Sequence, residues 1–210
     1  MSKNLSLEQL NCYSNYLTKL DISNNTALQM LICGRNQLKD IDVSMNTALT
    51  WLNCNNNTQL IDLDLSANTK LEGLSCEYNN INSLDLSNNP MLIELYCKNN
   101  QIRTLSLSDQ PLLRILTCSH NVLTDLDLKK NTKLYELYCS HNQLTSLYVS
   151  DVGDLKFIEC FNNELSANAL DFLFELLPAN SGTIFMQNNP GTNDCNSSIA
   201  LGKYWKVNTY

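Results

Sequence analysis

Apolar residues recur along this chain in a short phrase that appears twice in every repeat. From Leu71 to Asn89 the sequence reads LEGLSCEYNNINSLDLSNN, and each half follows the pattern L-x-x-L-x-(L/C)-x-x-N. Side chains two residues apart on an extended segment point the same way, and the asparagine that follows marks a bend in the chain. We expect the asparagine side chain to turn inward and bond to backbone groups at the bend. Each phrase therefore predicts a short strand followed by a turn.

The cysteines define the period of this pattern. Eight of the nine follow one another at intervals of 21, 21, 22, 21, 21, 21 and 21 residues, and an asparagine lies three residues after each. They are Cys12, Cys33, Cys54, Cys76, Cys97, Cys118, Cys139 and Cys160. A fixed period of about 20 to 29 residues is typical of leucine-rich repeats, whose coils stack because no single coil can bury its apolar side.

The pattern predicts a right-handed leucine-rich-repeat solenoid of about ten coils. We expect a parallel β-sheet on the cysteine side, short strands on the opposite side, and one domain across residues 1–210. The repeats fill residues 7–165, and residues 166–210 form a helix-bearing carboxy-terminal cap. Ser166, apolar residues at helical spacing and Pro178 predict one helix there, and residues 197–201 a second. Met186 and Val207, again 21 residues apart, are expected at equivalent positions of two final coils.

The ladder cysteines occupy a position that the other half of each repeat fills with Leu, Ile or Val, so we expect buried free thiols rather than disulfides. Strands lie about 4.8 Å apart, whereas a relaxed disulfide prefers a Cβ separation of about 3.8 Å. Cys195 lies outside the ladder, near the start of the last predicted helix. It is either a reactive thiol at a helix start or a buried residue of the cap.

Composition narrows the classes of partner. The net charge is −7 and the pI is about 4.7, which argues against binding of nucleic acid or an anionic membrane, since both require a basic surface. The sequence contains no stretch of 18 apolar residues, so it does not predict membrane insertion. The amino terminus does not resemble an export signal.

The first repeat begins at Leu7 with little sequence before it to cap the stack. Three explanations are open: the chain is part of a longer protein, residues 1–6 fold over the end, or two copies stack end to end. We expect a monomer, with the end-to-end dimer as the alternative.

Three groups of residues suggest chemistry, each with an ordinary structural alternative. His120 and His141 stand one coil apart and could hold a metal, or simply occupy a solvated variable position. The aspartates at one strand flank suggest calcium or turn capping; they are Asp21, Asp42, Asp64, Asp85 and Asp127. Glu136 and Glu159 are expected about 8 Å apart, a separation that inverting glycosidases use. No pattern for a cofactor or a nucleophile accompanies them, so we expect neither an enzyme nor a bound metal.

The most informative positions lie on the cysteine-side strands. Residues three before, one before and one after each cysteine are expected to point outward, and they vary while the core stays constant. Aromatic residues and Met on a rigid face are typical of a recognition surface, although scattered apolar residues are also normal on any surface. The predicted ligand-binding residues are Tyr13, Met30, Ile32, Trp51, Tyr96, Lys98, Glu136, Tyr138, Phe157 and Phe161.

The phrase L-x-x-L-x-C-x-x-N-x-L-x-x-L-D-L-S-x-N-T, whose second leucine is Leu10 in one repeat and Leu31 in the next, resembles the 21-residue repeats of bacterial internalin-type proteins with a cysteine ladder. The segment from Gly182 to Gly191 resembles the ends of leucine-rich-repeat proteins of Bacteroidetes. The resemblance implies an extracellular or cell-surface binding module, adhesin-like, that recognises a protein or a glycan. A carbohydrate-active enzyme using Glu136 and Glu159 and a structural spacer in a longer surface protein are the alternatives.

Overall fold

The computed structural model describes residues 4–149 and 154–209, and within them the repeats form stacked coils. Ten strands make one parallel sheet, and two helices lie near its carboxy-terminal end. The elements are β1 Gln9–Asn11, β2 Met30–Ile32, β3 Trp51–Asn53, β4 Gly73–Ser75, β5 Glu94–Tyr96, β6 Ile115–Thr117, β7 Asp127–Leu128, β8 Glu136–Tyr138, β9 Tyr148–Val149, β10 Phe157–Glu159, α1 Ala167–Leu176, β11 Gly182–Phe185, α2 Ser198–Leu201 and β12 Trp205–Asn208.

The large sheet follows the repeat. Its strand order is β1-β2-β3-β4-β5-β6-β8-β10-β11-β12, so each coil contributes one strand that pairs with the strand of the next coil. Equivalent positions are paired: Gln9 stands opposite Met30, and Trp51 stands opposite Gly73. The predicted leucine-rich-repeat solenoid, with its sheet on the cysteine side, is confirmed.

The opposite side of the coils is less regular than the sequence suggested. The expected short strands form in two coils only, where β7 pairs with β9. Elsewhere on this side of the described chain the equivalent segments carry no assigned strand. Outside the sheet, the backbone hydrogen bonds between most neighbouring coils lie instead in the turn after the asparagine, as from Gln37 N to Leu17 O at 2.8 Å.

The core consists of the repeated Leu, Ile and Cys positions. All nine cysteines are free, as the spacing predicted, and seven of the eight ladder cysteines are 0% exposed. Cys12 is the exception: it is only half-buried, because the first described coil has a neighbour on one side alone. Burial raises the pKa of the Cys76 thiol to about 12 and that of Cys97 well above its usual value, so the ladder thiols stay protonated.

The asparagine after each cysteine ties the coils together. Asn100 donates through Nδ2 to the carbonyls of Cys97 in its own coil and Cys76 in the previous one, both at 3.0 Å. Its Oδ1 accepts from Ile81 N at 3.0 Å. The inward-facing asparagine predicted from the repeat is confirmed, and it satisfies three buried backbone groups that have no strand partner.

The residue two places after each cysteine adopts a left-handed conformation, with φ of 54° at Tyr78 and 55° at His120. The strand must turn sharply here, immediately before the inward-facing asparagine. Because β-branched side chains tolerate positive φ poorly, the position holds Ser, Arg, Asn, Tyr and His instead.

The carboxy-terminal cap forms as predicted in its helices. Ser166 caps α1 by accepting a hydrogen bond from Ala169 N at 3.2 Å, and α2 packs against α1 and β12. The expected equivalence of Met186 and Val207 is wrong, because Val207 pairs with Ile184. The last coil is thus two residues longer than 21, which accommodates α2 and the buried Trp205, whose indole N–H donates to Pro178 O at 3.0 Å.

No helix among the described residues is long and apolar enough to cross a membrane.

Candidate functional site

The outward residues of the ten-stranded sheet form one continuous surface, which we call the sheet face. It comprises the first and third residues of each three-residue strand together with the residue after each ladder cysteine. All ten residues predicted from the sequence lie on it: Tyr13, Met30, Ile32, Trp51, Tyr96, Lys98, Glu136, Tyr138, Phe157 and Phe161. Tyr13 is 39% exposed, and the others are half-buried, since parallel strands bring neighbouring side chains into contact.

Trp51 does not stand free on the sheet face. Its indole lies over Gly73, where a Cβ would overlap Cζ3 and Cε3 of the ring. Gly73 is consequently buried, although its position in the repeat faces outward. One side of the indole is used for packing within the protein, and only the other side is available to a partner.

Two tyrosines of the sheet face are held by glutamates of their own strands. The Tyr96 hydroxyl donates to Glu94 Oε2 at 2.8 Å, and the Tyr138 hydroxyl donates to Glu136 Oε2 at 3.0 Å. Burial and the hydrogen bond to Glu136 raise the pKa of Tyr138 to about 12. Both phenols therefore remain neutral donors with a fixed ring orientation, so little ordering entropy is lost when a partner contacts them.

Aromatic rings continue from Tyr138 toward the carboxy-terminal end. The Tyr138 and Phe157 ring centroids are 4.9 Å apart, and those of Phe157 and Phe185 are 5.6 Å apart. Phe185 was missed in the sequence because methionine replaces cysteine in its coil. The signal was available, since Phe185 stands one residue before Met186, the position that Tyr138 takes before Cys139.

Four glutamates lie among these rings. Besides Glu94 and Glu136 they are Glu77 and Glu159. Burial raises the pKa of Glu77, and the nearby Lys98 partly opposes that rise. Glu159 Oε1 accepts a hydrogen bond of 2.7 Å from the buried Ser140 hydroxyl. Glu136 and Glu159, the pair named in the enzyme alternative, thus each accept a hydrogen bond from a different neighbouring hydroxyl group.

The two histidines lie at one edge of the sheet face. Their rings stack with centroids 4.0 Å apart and planes 13° apart, as expected for one-coil spacing. Asn162 Nδ2 lies 3.1 Å from His141 Nε2 and occupies one of the nitrogens that a metal would use. Over the described part of the chain, no three His, Cys, Asp or Glu side chains converge as metal ligands.

The aspartate column on the opposite side caps turns. Asp64 Oδ1 accepts from Ser66 N at 2.9 Å, and Asp21, Asp42 and Asp85 make the same bond to the residue two places later. Side-chain and backbone hydrogen bonds from Ser66 lower the pKa of Asp64. A shallow groove of about 470 Å³ runs along this side between Asp62, Asp64 and Asp85. The turn-capping explanation of the column is confirmed.

Cys195 does not have the environment of an activated thiol. It is half-buried, and burial together with the charge of Asp171 raises its pKa. Its Sγ lies 3.5 Å from Thr192 O. Because the thiolate is the reactive form, the structure favours the cap-residue alternative.

No protein-family model and no curated protein matches the sequence. Solved structures do match. The chain is 31% identical to the functional domain of InlJ from Listeria monocytogenes, which includes a cysteine ladder; the match covers 98% of this chain and 51% of that one, with a TM-score of 0.77. An internalin, InlF, from the same organism is 26% identical, covering 100% and 63%, with a TM-score of 0.87. The TLR13 structure in complex with ssRNA13 is 26% identical over 90% and 29%, with a TM-score of 0.68. The chain thus spans about half of the InlJ structure and under two thirds of the InlF structure.

Proposed function

Because this chain is a leucine-rich-repeat solenoid with a cysteine ladder, we propose that it is a non-catalytic binding module that recognises a protein or a glycan through its sheet face. The observation that carries the proposal is the row of packed aromatic rings on that face: Trp51 on Gly73, Tyr96 and Tyr138 on their glutamates, Phe157 beside Tyr138, and Phe161 against His141. Rigid aromatic residues contribute most of the energy at many interfaces, because they bury large areas with little loss of entropy.

The likeness to InlJ and InlF supports an interaction module of the internalin type. By that resemblance the proposal extends to an adhesin-like or host-interaction protein at a bacterial surface or outside the cell. TLR13 is solved with RNA. The present chain carries a net charge of −7, which disfavours a polyanion, so our proposal excludes nucleic acid.

The enzyme alternative gains no specific support. Ser140 donates to Glu159, and Tyr138 donates to Glu136, so each carboxylate is hydrogen-bonded to a neighbouring hydroxyl and no interaction joins the two into an acid–base pair. The spacer alternative requires no exposed recognition surface, and it leaves the aromatic row without a role.

The test is a binding screen of mucins, extracellular-matrix proteins and glycans against the wild type and a Trp51→Ala/Tyr96→Ala/Tyr138→Ala variant. We expect to find a partner whose binding free energy is weakened by about 2 kcal/mol or more in the variant, since well-placed aromatic residues typically contribute that much.

The control is a triple variant that removes exposed rings elsewhere, Tyr16→Ala/Phe172→Ala/Tyr204→Ala, whose side chains are 87%, 45% and 75% exposed. It should bind as the wild type does. If a partner is found and the folded sheet-face variant binds it unchanged, the sheet face is the wrong surface, and the opposite, Asp-bearing side becomes the candidate.

A further inference from the structure

Two identical Tyr–Glu pairs stand on either side of one strand of the sheet face. The sequence Glu-Leu-Tyr occurs in β5 and again in β8, and β6 lies between them in the sheet. Thr117 of β6 pairs with Tyr96 on one side and with Tyr138 on the other. Ile115 pairs in the same way with the two glutamates of these strands.

This arrangement places the shorter side chains of β6 between the two tyrosines, and we call the space above them the slot. Strands two apart are separated by about 10 Å, and each atomic contact takes about 3.5 to 4.0 Å, so one planar group fits between the two tyrosines. Ile115 and Thr117 form the floor, and both are half-buried. Each tyrosine is held to the Oε2 atom of its glutamate, so Tyr96 and Tyr138 line opposite walls in fixed orientations.

The surroundings of the slot are acidic: Glu77, Glu94, Glu136 and Glu159 lie in or beside it, with Lys98 as a neighbouring basic side chain. The one ion pair in residues 4–149 and 154–209 joins Lys129 to Asp127, which lie on the opposite side of the coil. Hence no salt bridge in these ranges neutralises the four glutamates, Glu77, Glu94, Glu136 and Glu159. Of the predicted binding residues, Lys98 alone is basic, and its charge acts on Glu77. The charges of Glu94, Glu136 and Glu77 all act on the Tyr96 hydroxyl, and after burial and the Glu94 hydrogen bond they contribute to its raised pKa.

We propose that the slot between Tyr96 and Tyr138 binds an arginine side chain of a protein partner, with the guanidinium against the tyrosine rings and its N–H groups on Glu94 and Glu136. The inference rests on the proposed function and names the partner of the same face. A guanidinium combines a flat surface that stacks on aromatic rings with five donors for carboxylates. Each glutamate uses Oε2 for its tyrosine, and among the described residues none donates a hydrogen bond to either Oε1.

Charge favours this occupant over a neutral sugar. A sugar ring would stack on the tyrosines equally well, but it would neutralise none of the four carboxylates. A partner surface bearing arginine removes unfavourable repulsion among them while it gains the stacking contact.

The test uses three short probes in solution: acetyl-Gly-Arg-Gly-amide, the same peptide with citrulline, and the same peptide with lysine. Binding is followed by NMR through the Ile115 δ1 methyl and the Tyr96 and Tyr138 rings. We expect saturable shifts with the arginine peptide, at a Kd of about 1 to 10 mM, that weaken as the salt concentration is raised. The neutral citrulline peptide should bind about tenfold more weakly, and the lysine peptide should fall between them.

Paired variants separate the slot from general acidity. Glu94→Gln/Glu136→Gln keeps an acceptor for each tyrosine hydroxyl and should weaken arginine-peptide binding about fivefold or more. Asp64→Asn/Asp85→Asn also removes two negative charges, but from the opposite side of the coils, and it should leave binding unchanged. Absence of saturable shifts at Ile115, equal binding of citrulline, or an equal loss in the control variant would each overturn the proposal.

The same glutamate variant distinguishes this inference from the proposed function. If a partner found in the screen loses affinity in the Tyr96→Ala/Tyr138→Ala background but binds Glu94→Gln/Glu136→Gln normally, the sheet face is the binding site and the arginine proposal is wrong. A glycan partner with that behaviour would assign the slot to a sugar. If both variants bind normally, both proposals fail.

Discussion

The indole of Trp51 covers Gly73 of the next strand, so the two residues form a single packed unit on the sheet face. Gly73→Ala would place a methyl group inside the ring, and Trp51 would have to rotate away. We expect a loss of about 1 to 3 kcal/mol in the free energy of unfolding, typical of overpacking, together with a red shift of the Trp51 fluorescence. Chemical denaturation and emission spectra measure both, and the buried Trp205 supplies a constant background.

Gly202→Ala is the matched control for this change. Its Cβ would meet no atom closer than 3.3 Å, and its φ is −63°. The stability of that variant should stay within about 0.5 kcal/mol of the wild type. Equal effects at the two glycines would contradict the role assigned to Trp51.

The cysteine ladder should be unreactive while the protein is folded. Thiol titration under native conditions should find the seven fully buried cysteines protected, and in denaturant without reductant nearly all nine should react. Three or more disulfides would contradict the interpretation of cysteine as a core residue. Cys97→Asp places an unpaired carboxylate among apolar side chains and should cost about 3 to 5 kcal/mol, whereas Cys195→Asp at a half-buried site should cost much less.

The asparagine ladder should contribute measurably to stability. Asn100→Ala leaves Ile81 N without its acceptor, and it removes one of the two amide donors of Cys76 O and of Cys97 O, which keep Asn79 and Asn121 respectively. We expect a loss of about 1 to 3 kcal/mol in the free energy of unfolding. Asn88→Ala is the control, because Asn88 is exposed and makes one long bond of 3.5 Å to Ser87. A loss at Asn100 no larger than that at Asn88 would rule out this role.

Acidification should weaken the fold through His120, whose ring stacks on that of His141. Burial, the charge of His141 and that of Lys98 lower the pKa of His120, and the charge of Glu159 opposes them. The folded state therefore binds fewer protons than the unfolded state, so stability present above pH of about 6.5 is lost as the pH falls through the folded pKa. Denaturation midpoints between pH 7.5 and about 5 measure this.

His120→Asn is the comparison for the pH dependence. Asn99 occupies the equivalent position in the preceding coil with the same left-handed backbone, so the substitution is tolerated locally. The variant should lose part of the pH dependence in that window. An unchanged pH profile would show that the pKa of His120 is the same in the folded and the unfolded state.

The first described coil should open more readily than the middle of the stack. Leu7, Leu10 and Cys12 are only half-buried, whereas the equivalent residues of the inner coils are fully buried. Amide exchange should be fastest over residues 4–30 and slowest near the middle coils. Uniform protection from residue 7 onward, lost on dilution, would instead indicate end-to-end association of two copies.

The repeat by itself determined the coil and its core. A cysteine and an asparagine at fixed spacing predict one strand and one turn in each coil. The prediction holds for every inner coil because each packs between two coils with the same core residues. Thus the buried ladder at Cys33 to Cys160, the inward Asn100 and its equivalents, and the helix capped by Ser166 followed from local pattern alone.

Tertiary structure decided what differs from one coil to the next. The packing of Trp51 on Gly73, the hydrogen bond from Tyr96 to Glu94 and the addition of Phe185 to the aromatic row depend on which side chains become neighbours across strands. The last coil also departs from the period, because α2 adds length and pairs Val207 with Ile184. A periodic sequence specifies backbone register, which is set by many equal contacts, whereas the shape of a surface is set by single side chains and the rotamers their neighbours allow.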